Sequence, residues 1–393
     1  MWSAIEELEQ RRKAGTLSNE DADLLKEYLL TLQADRNMTD RGLLTEFRMI
    51  AVWAYYFKFS TMTLADIRSA KSDMDSRGLK PNTMRGYLHR FKRFVVWCVK
   101  EKGFDIDLEK LANFKLPKID KSTKTKAAML STDEIREIIN AARQPRDKAI
   151  FSILYEGGLR PVEIVTLNWG DVKFDEHGAV INTSEKTGMP RYIRLLSSSD
   201  YLARWQASTP GKRGPNDPVF ITVNAPHRRI SYSLMQYQLK DLAKKAKVGI
   251  NKTTGEVEKE VSLYLFRHSR ITHMMEKKIP ESVIKLQHWG SLDTNMLSTY
   301  AHVGGAHIDE VLLDQAKIKK ARKREERDAM APVQCPTCDY INVPGSHYCS
   351  ACGVELTEKT KAKKSTMLDV LSDMAKEDPE GLLEALRKHK KSE

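Results

Sequence analysis

Cysteine is scarce in this chain, and its distribution is uneven. Of 393 residues only 5 are cysteine, and four of those fall between Cys335 and Cys352. A disulfide framework for the body of the chain is therefore excluded. The fifth, Cys98 in FVVWCVK, sits in an apolar helical pattern and reads as a core thiol. Long apolar runs are missing too. No segment approaches the ~18 residues that a membrane span needs. The opening MWSAIEELEQRRK lacks the apolar centre of a secretory signal, so a cytoplasmic protein is expected. No internal repeat is present that would suggest a solenoid. Acidic excess is absent as well: 65 Lys+Arg stand against 53 Asp+Glu, a formal net charge of +12. Such a balance favours a polyanionic partner, nucleic acid being the commonest, and a basic surface without a ligand is the plain alternative.

What is present divides into segments. Residues 1–112 read as a helical bundle. LSNEDADLLKEYLLTL carries a cap at Ser18 and an apolar stripe at Leu24, Leu25, Tyr28, Leu29 and Leu32. PNTMRGYLHRFKRFVVWCVKEKG starts at Pro81 and stops at Gly103. Its Arg85, His89, Arg90, Lys92 and Arg93 form either a DNA-facing side or a solvated face. Residues 113–130 (NFKLPKIDKSTKTKAAML) lack periodicity and read as a basic linker, which either follows phosphates or is simply soluble. A second domain, 131–330, opens with a capping signal at Ser131 or Thr132. It is mainly helical, with two short strand-like runs around the Lys-Thr-Gly of AVINTSEKTGMPRYIRL. A long charged helix is expected over roughly His307–Met330. A lysine-rich spacer and an amphipathic tail, 358–393, carry Met367, Leu368, Val370, Leu371 and Met374 at helical spacing.

Within the second domain, chemistry-bearing residues are scattered but ordered. They are Arg160 in GGLRPVEI, Lys186 in SEKTGMPR, Arg267 in YLFRHSR, His288 in LQHWG and Tyr300 in LSTYAHV. A phenol is a weak nucleophile at neutral pH because its pKa is about 10. It attacks a phosphodiester only where fixed cations withdraw and stabilise the phosphate charge. Taken singly, each of these residues is more ordinarily a solvated, paired or structural side chain. As an ordered set they resemble the tyrosine recombinase (phage integrase) family, through motifs spanning about 131–305.

That resemblance implies a mainly α fold: a helical core-binding (SAM-like) DNA-binding bundle, then a mixed catalytic domain with a small β-sheet. It implies that Arg160, buttressed by Glu163, and Arg267 grip the non-bridging phosphate oxygens, and that Tyr300 attacks in line. A 3′-phosphotyrosyl link and a free 5′-hydroxyl result, with Lys186 as proton donor to the leaving oxygen and His288 supporting the phosphate. Neither ATP nor a catalytic metal is required. Lys173 and Arg191 are local rivals of Lys186. The family's second box is usually His-x-x-Arg, and here Tyr264 replaces the histidine. The interval from His288 to Tyr300 is also longer than the bacterial pattern, as in archaeal members.

The remaining cysteines, Cys335-x-x-Cys338 and Cys349-x-x-Cys352, have zinc-ribbon spacing over 331–357. Four thiolates close a tetrahedral structural Zn²⁺ site with no open position, and His347 is not needed as a ligand. Two disulfides or free thiols are the alternatives, and the ribbon would grip either DNA or a protein. The expected function is a site-specific DNA recombinase (integrase), acting as a homo-tetramer on double-stranded DNA. A type IB topoisomerase-like enzyme using the same chemistry on one duplex, or a non-catalytic DNA-binding protein on this scaffold, are the competing readings.

Overall fold

The computed structural model describes residues 3–118, 128–183, 189–250, 257–297, 300 and 328–356. The chain forms two compact units, Met1–Ser122 and Thr123–Glu393. The helices expected over 307–330 and from Met367 onward lie mostly or wholly outside the described residues, as does the middle of the basic linker.

The first unit is all helical: α1 (Ser3–Lys13), α2 (Asn19–Arg36), α3 (Asp40–Ala51), α4 (Leu64–Ser76), α5 (Pro81–Lys102) and the short α6 (Leu108–Ala112). Local chemistry sets the boundaries. The Ser18 hydroxyl accepts from the Asp21 N–H at the start of α2, Pro81 opens α5, and Gly103 closes it at φ 69°. Aromatic rings fill the centre, with Trp53 stacked on Phe91 at 4.3 Å and Phe94 edge-on to Tyr28 and Phe59.

The basic residues of α5 are largely held inside this unit. Arg90 and Arg93 both reach the buried carboxylate of Glu46 on α3, at 3.2 and 2.6 Å. Arg85 donates to the Pro117 carbonyl at 2.9 Å, and Lys92 donates to those of Ala112 and Phe114. The N-terminal end of the expected linker is thus fastened to the first unit. Its C-terminal end is fastened to the second, where Leu130 is fully buried and donates its N–H to Ser269 Oγ at 2.9 Å.

The second unit begins with α7 (Thr132–Ala141), capped by a reciprocal Ser131–Glu134 box, and α8 (Pro145–Glu156), which is almost entirely buried. After α9 (Pro161–Thr166) come three antiparallel strands, β1 (Val172–Asp175), β2 (Gly178–Thr183) and β3 (Arg191–Leu195), in the order β1-β2-β3. β2 and β3 are the two expected runs, with Ile181 opposite Ile193 on the buried face. β1 is an additional strand that the sequence did not announce: its last three residues are exposed, so it has no alternating apolar signature. Four helices follow, α10 (Ser198–Ser208), α11 (Tyr232–Lys245), α12 (Leu263–Glu276) and α13 (Glu281–Trp289). The Glu156 carboxylate at the end of α8 accepts from the N–H groups of Leu196, Ser197 and Ser198, which fixes the entry to α10. The last described segment pairs β4 (Val333–Gln334) with β5 (Ile341–Asn342).

Candidate active site and cysteine cluster

The site is assembled where α8 ends and α9 begins. Gly157 and Gly158 turn the chain, with Gly158 in the left-handed region at φ 56°. Arg160 then caps α9. Glu163 Oε2 accepts from the Arg160 N–H at 2.6 Å, and its Oε1 accepts from Arg160 Nη1 at 2.9 Å. From β3, the fully buried Arg191 side chain forms an ion pair with the same carboxylate. From α12, Arg267 donates Nη1 to the Gly158 carbonyl and Nη2 to the His288 carbonyl, the latter at 2.6 Å. Arg191 Nη1 shares that His288 carbonyl at 2.9 Å.

Two guanidiniums thus pair with one buried carboxylate, Glu163, and a third, that of Arg267, feels its charge and shares the His288 carbonyl with Arg191. The balance is visible in Arg267: burial, and then the charges of Arg160 and Arg191, push its pKa down to about 9. Burial also depresses Arg191, with Glu163 opposing. Of the three, Arg160 keeps a partly open side chain. A desolvated surplus of positive charge with an open guanidinium is a place where a phosphate oxygen is stabilised strongly.

Tyr300 is only 4% exposed, and its phenol lies 2.6 Å from Nδ1 of His268. Burial raises the phenol pKa to about 12, with the Arg267 charge pulling the other way. Trp289 links the two halves. Its ring lies edge-on to Tyr300 at 6.4 Å and beneath the Arg267 guanidinium at 5.4 Å.

Not all the residues singled out in the sequence converge. Arg160, Arg267 and Tyr300 belong to this cluster. The His288 ring does not face it: the ring is fully buried, packed onto Gly158, with Nε2 3.3 Å from Met274 Sδ. Burial, and then the charges of Arg267, Arg270 and Arg191, push its pKa well below the ordinary imidazole range. A ring so enclosed has no path to a phosphate oxygen, and it is the backbone carbonyl of His288 that serves the arginines. Tyr264 is half-exposed, one turn before His268 on α12. Lys186 lies outside the described residues, between β2 and β3. Arg191, which the sequence offers only as a rival of Lys186, instead joins the arginine cluster. Sequence reasoning also misses His268 and Trp289, although each has a local signal: one follows Arg267 directly in FRHSR, and the other follows His288 in LQHWG.

Gly158 is where this packing is least forgiving. Its backbone is left-handed, and an added Cβ would clash with the His288 ring, 2.1 Å from Cε1. Gly158→Ala is therefore expected to lower stability by about 2–4 kcal/mol, combining a strained φ with overpacking. Denaturant unfolding would measure it, and a loss under about 1 kcal/mol would mean that the contact relaxes freely.

Residues 128–307 match the phage integrase family. That segment, the larger part of the second unit, is similar to that family. Curated relatives include tyrosine recombinases: the chain is 28% identical to tyrosine recombinase XerA of Pyrococcus horikoshii over 240 residues, covering 59% of this chain and 76% of the relative. It is also 28% identical to tyrosine recombinase XerC of Pelotomaculum thermopropionicum over 253 residues, covering 61% and 76%. Among solved structures, the fold is similar to that of a lambda integrase dimer bound to a COC′ core site, with a TM-score of 0.56 at 14% identity, covering 77% of this chain and 99% of that one. It is similar too to the XerH recombinase in a post-cleavage complex with difH, at a TM-score of 0.54 and 15% identity, covering 80% and 95%. The family match spans Arg160, Arg191, Arg267, His268, Trp289 and Tyr300 and stops before the cysteines.

Those cysteines form a separate cluster that could hold a metal ion: the Sγ atoms of Cys335, Cys338, Cys349 and Cys352 all lie within 4.8 Å of one another. The contacts cross between the two pairs, Cys335 to Cys352 and Cys338 to Cys349, each at 3.6 Å. A disulfide would need about 2.05 Å. Thiolates placed tetrahedrally at about 2.3 Å from an ion lie about 3.8 Å apart, which fits the observed spacing. Asn342, fully buried, donates Nδ2 to the carbonyls of Val333 and Tyr340 and accepts from the Ser350 N–H, so it braces both cysteine turns. His347 is not part of the cluster.

Proposed function

We propose that this protein is a site-specific DNA recombinase that cleaves and rejoins DNA through a 3′-phosphotyrosyl intermediate. The observation that carries the reading is the pairing of Arg160 and Arg191 with one buried carboxylate, Arg267 meeting Arg191 at the His288 carbonyl, and Tyr300 next to Arg267 across Trp289. Arg160 and Arg267 grip the scissile phosphate, and Tyr300 Oη attacks phosphorus while the bond to the 5′-oxygen breaks. Lys186 protonates that oxygen. A 5′-hydroxyl from another strand reverses the attack, with the bond energy retained in the phosphotyrosine. Tyr264 lies at the phosphate's edge as a hydrogen-bond donor.

The partner is double-stranded DNA, and exchange between two duplexes needs four cleavages, hence a homo-tetramer on DNA. The helical unit is the core-binding half, 131–330 the catalytic domain, and 113–130 the connection between them. The four cysteines hold a structural zinc, which the thiolate donors and their spacing suit. The zinc contributes fold to 331–357 and takes no part in the reaction.

The test is a denaturant-resistant covalent adduct formed on a pool of randomised, nicked duplexes. Wild type should give one and Tyr300→Phe should give about 10⁴-fold less or none, the scale on which removing a nucleophile acts. Adduct absent from wild type, or retained by Tyr300→Phe, would overturn the reading. Vigorous relaxation of a supercoiled plasmid by monomer would favour the topoisomerase-like alternative.

A further inference from the structure

The phenol of Tyr300 has a partner that the roles assigned above leave unused. His268 Nδ1 lies 2.6 Å from Tyr300 Oη, with the two rings 5.6 Å apart. We infer that His268 is the proton acceptor for the Tyr300 nucleophile, taking the phenolic proton during cleavage and returning it during rejoining. This rests on the phosphotyrosyl reading of Tyr300.

The geometry narrows the choice of base. Tyr264 stands one turn earlier on α12, four residues before His268 and so on the same helix face. It is a second phenol, unable to accept a proton near neutrality. The His288 ring is sealed against Gly158 and Met274. The His273 ring is engaged with the Tyr155 hydroxyl at 2.9 Å. His268 is an imidazole in hydrogen-bond contact with the nucleophile. A phenol buried beside Trp289 does not ionise unaided at neutral pH, so attack requires the proton to have somewhere to go.

The step balances with the residues at hand. Before attack, His268 carries its proton on Nε2 and presents the Nδ1 lone pair. As the Oη–P bond forms and the P–O5′ bond breaks, the phenolic proton moves to Nδ1, leaving an imidazolium, while the departing 5′-oxygen takes a proton from Lys186. On rejoining, a 5′-hydroxyl gives its proton to Lys186 as its oxygen bonds phosphorus, the Oη–P bond breaks, and the imidazolium returns its proton to Oη. Beside the pair, Arg267 on α12 lowers the Tyr300 pKa by its charge and Tyr264 stands one turn earlier on the same helix, while Arg160 on α9 and Arg191 on β3 act on Arg267 in turn. The surplus cations among them stabilise the phosphate and work against the imidazolium, which favours return of the proton and hence reversibility.

Two measurements test this. In the free protein, ¹⁵N-imidazole spectra should show the His268 Nδ1 signal moving in Tyr300→Phe, a readout that needs no DNA. In single-turnover cleavage, His268→Ala and His268→Gln should both be slowed by about 10²–10⁴-fold. The wild-type rate should fall as pH drops through the range where imidazole protonates, and that limb should vanish in both variants. Free imidazole should restore part of the His268→Ala rate. The inference is overturned if either variant cleaves within about threefold of wild type, if His268→Gln alone recovers the rate (placing a neutral side chain rather than a base at 268), or if the Nδ1 signal ignores Tyr300→Phe. If wild type forms no adduct, the phosphotyrosyl reading fails instead, and the spectra still decide whether the pair exists.

Discussion

Arg267→Ala is expected to lower strand cleavage by about 10³-fold or more while leaving binding to duplex DNA within about an order of magnitude. The asymmetry follows from position. Arg267 is 95% buried and already bonds two backbone carbonyls, so it adds little to the exposed charge that attracts a polyanion. On the proposed mechanism its value lies in being fixed where charge develops on the phosphate. Removing one preorganised donor of that kind costs about 10²–10³ in rate; Arg267 also bears the Trp289 ring that stands next to the nucleophile, so the loss should reach the upper end. Arg267→Lys should recover little, because an ammonium cannot bridge the Gly158 and His288 carbonyls while also serving a phosphate. The fold should also suffer. The Gly158 carbonyl loses its donor, at about 1–3 kcal/mol, while the His288 carbonyl keeps Arg191, and the loss is partly offset because a crowded buried cation is gone. Cleavage rates, filter-binding affinities and denaturant midpoints on the same variants separate these effects. A variant whose DNA affinity falls as far as its cleavage would show that Arg267 serves binding rather than the transition state.

How much of this site is legible in the sequence depends on whether the signal is local. The arginine boxes are local, since a Gly-Gly turn, a proline-opened helix and Glu163 three residues on are enough to single out Arg160. The capping box at Ser131 and the β2–β3 hairpin are legible for the same reason. Rotation about a helix axis is not. His288 and Trp289 are neighbours in sequence but about 100° apart on α13, and that turn puts the imidazole into the core and the indole beside Tyr300. The same uncertainty hides His268 behind Tyr264, because a residue's place in a motif draws attention that its direction does not justify. Tertiary pairing is unreadable too. The α5 arginines look like a DNA-facing stripe until Glu46, on a different helix, is found buried beneath two of them. Arg191 gives no hint of its burial, since an arginine on a short strand ordinarily faces solvent; only the approach of α9 and α13 to β3 supplies Glu163 and the His288 carbonyl that let it stay inside.

Removing metal from the cysteine cluster should unfold 333–356 and leave the arginine site folded. Within this segment the fully enclosed side chains are few: Cys335, Cys349 and Leu356 form the apolar cluster, with Asn342 as a buried polar brace. Burying one leucine contributes about 1.5–3 kcal/mol, whereas ordering some two dozen residues costs about 1–2 kcal/mol each in backbone entropy alone. Two strands of two residues do not close that gap. A structural zinc bound by four thiolates contributes about 10–16 kcal/mol of binding free energy that is also folding free energy, which is the right order. Polar ties to the rest of the unit run to α10, from Arg204 to Ser350 at 3.3 Å and between Tyr340 and Asp200. Strong chelation should therefore release one metal per chain and erase hydrogen-exchange protection at the N–H groups of Cys335, Asp339, Cys349 and Gly353, which close the two cysteine turns. Protection in α8 and α12 should persist, because those helices belong to a separate apolar core. Cys349→Ser should reproduce the effect of chelation, and Asn342→Ala should weaken metal retention without removing a ligand. Protection that survives chelation throughout 333–356 would show that the segment folds without an ion and that the four sulfurs are close for another reason.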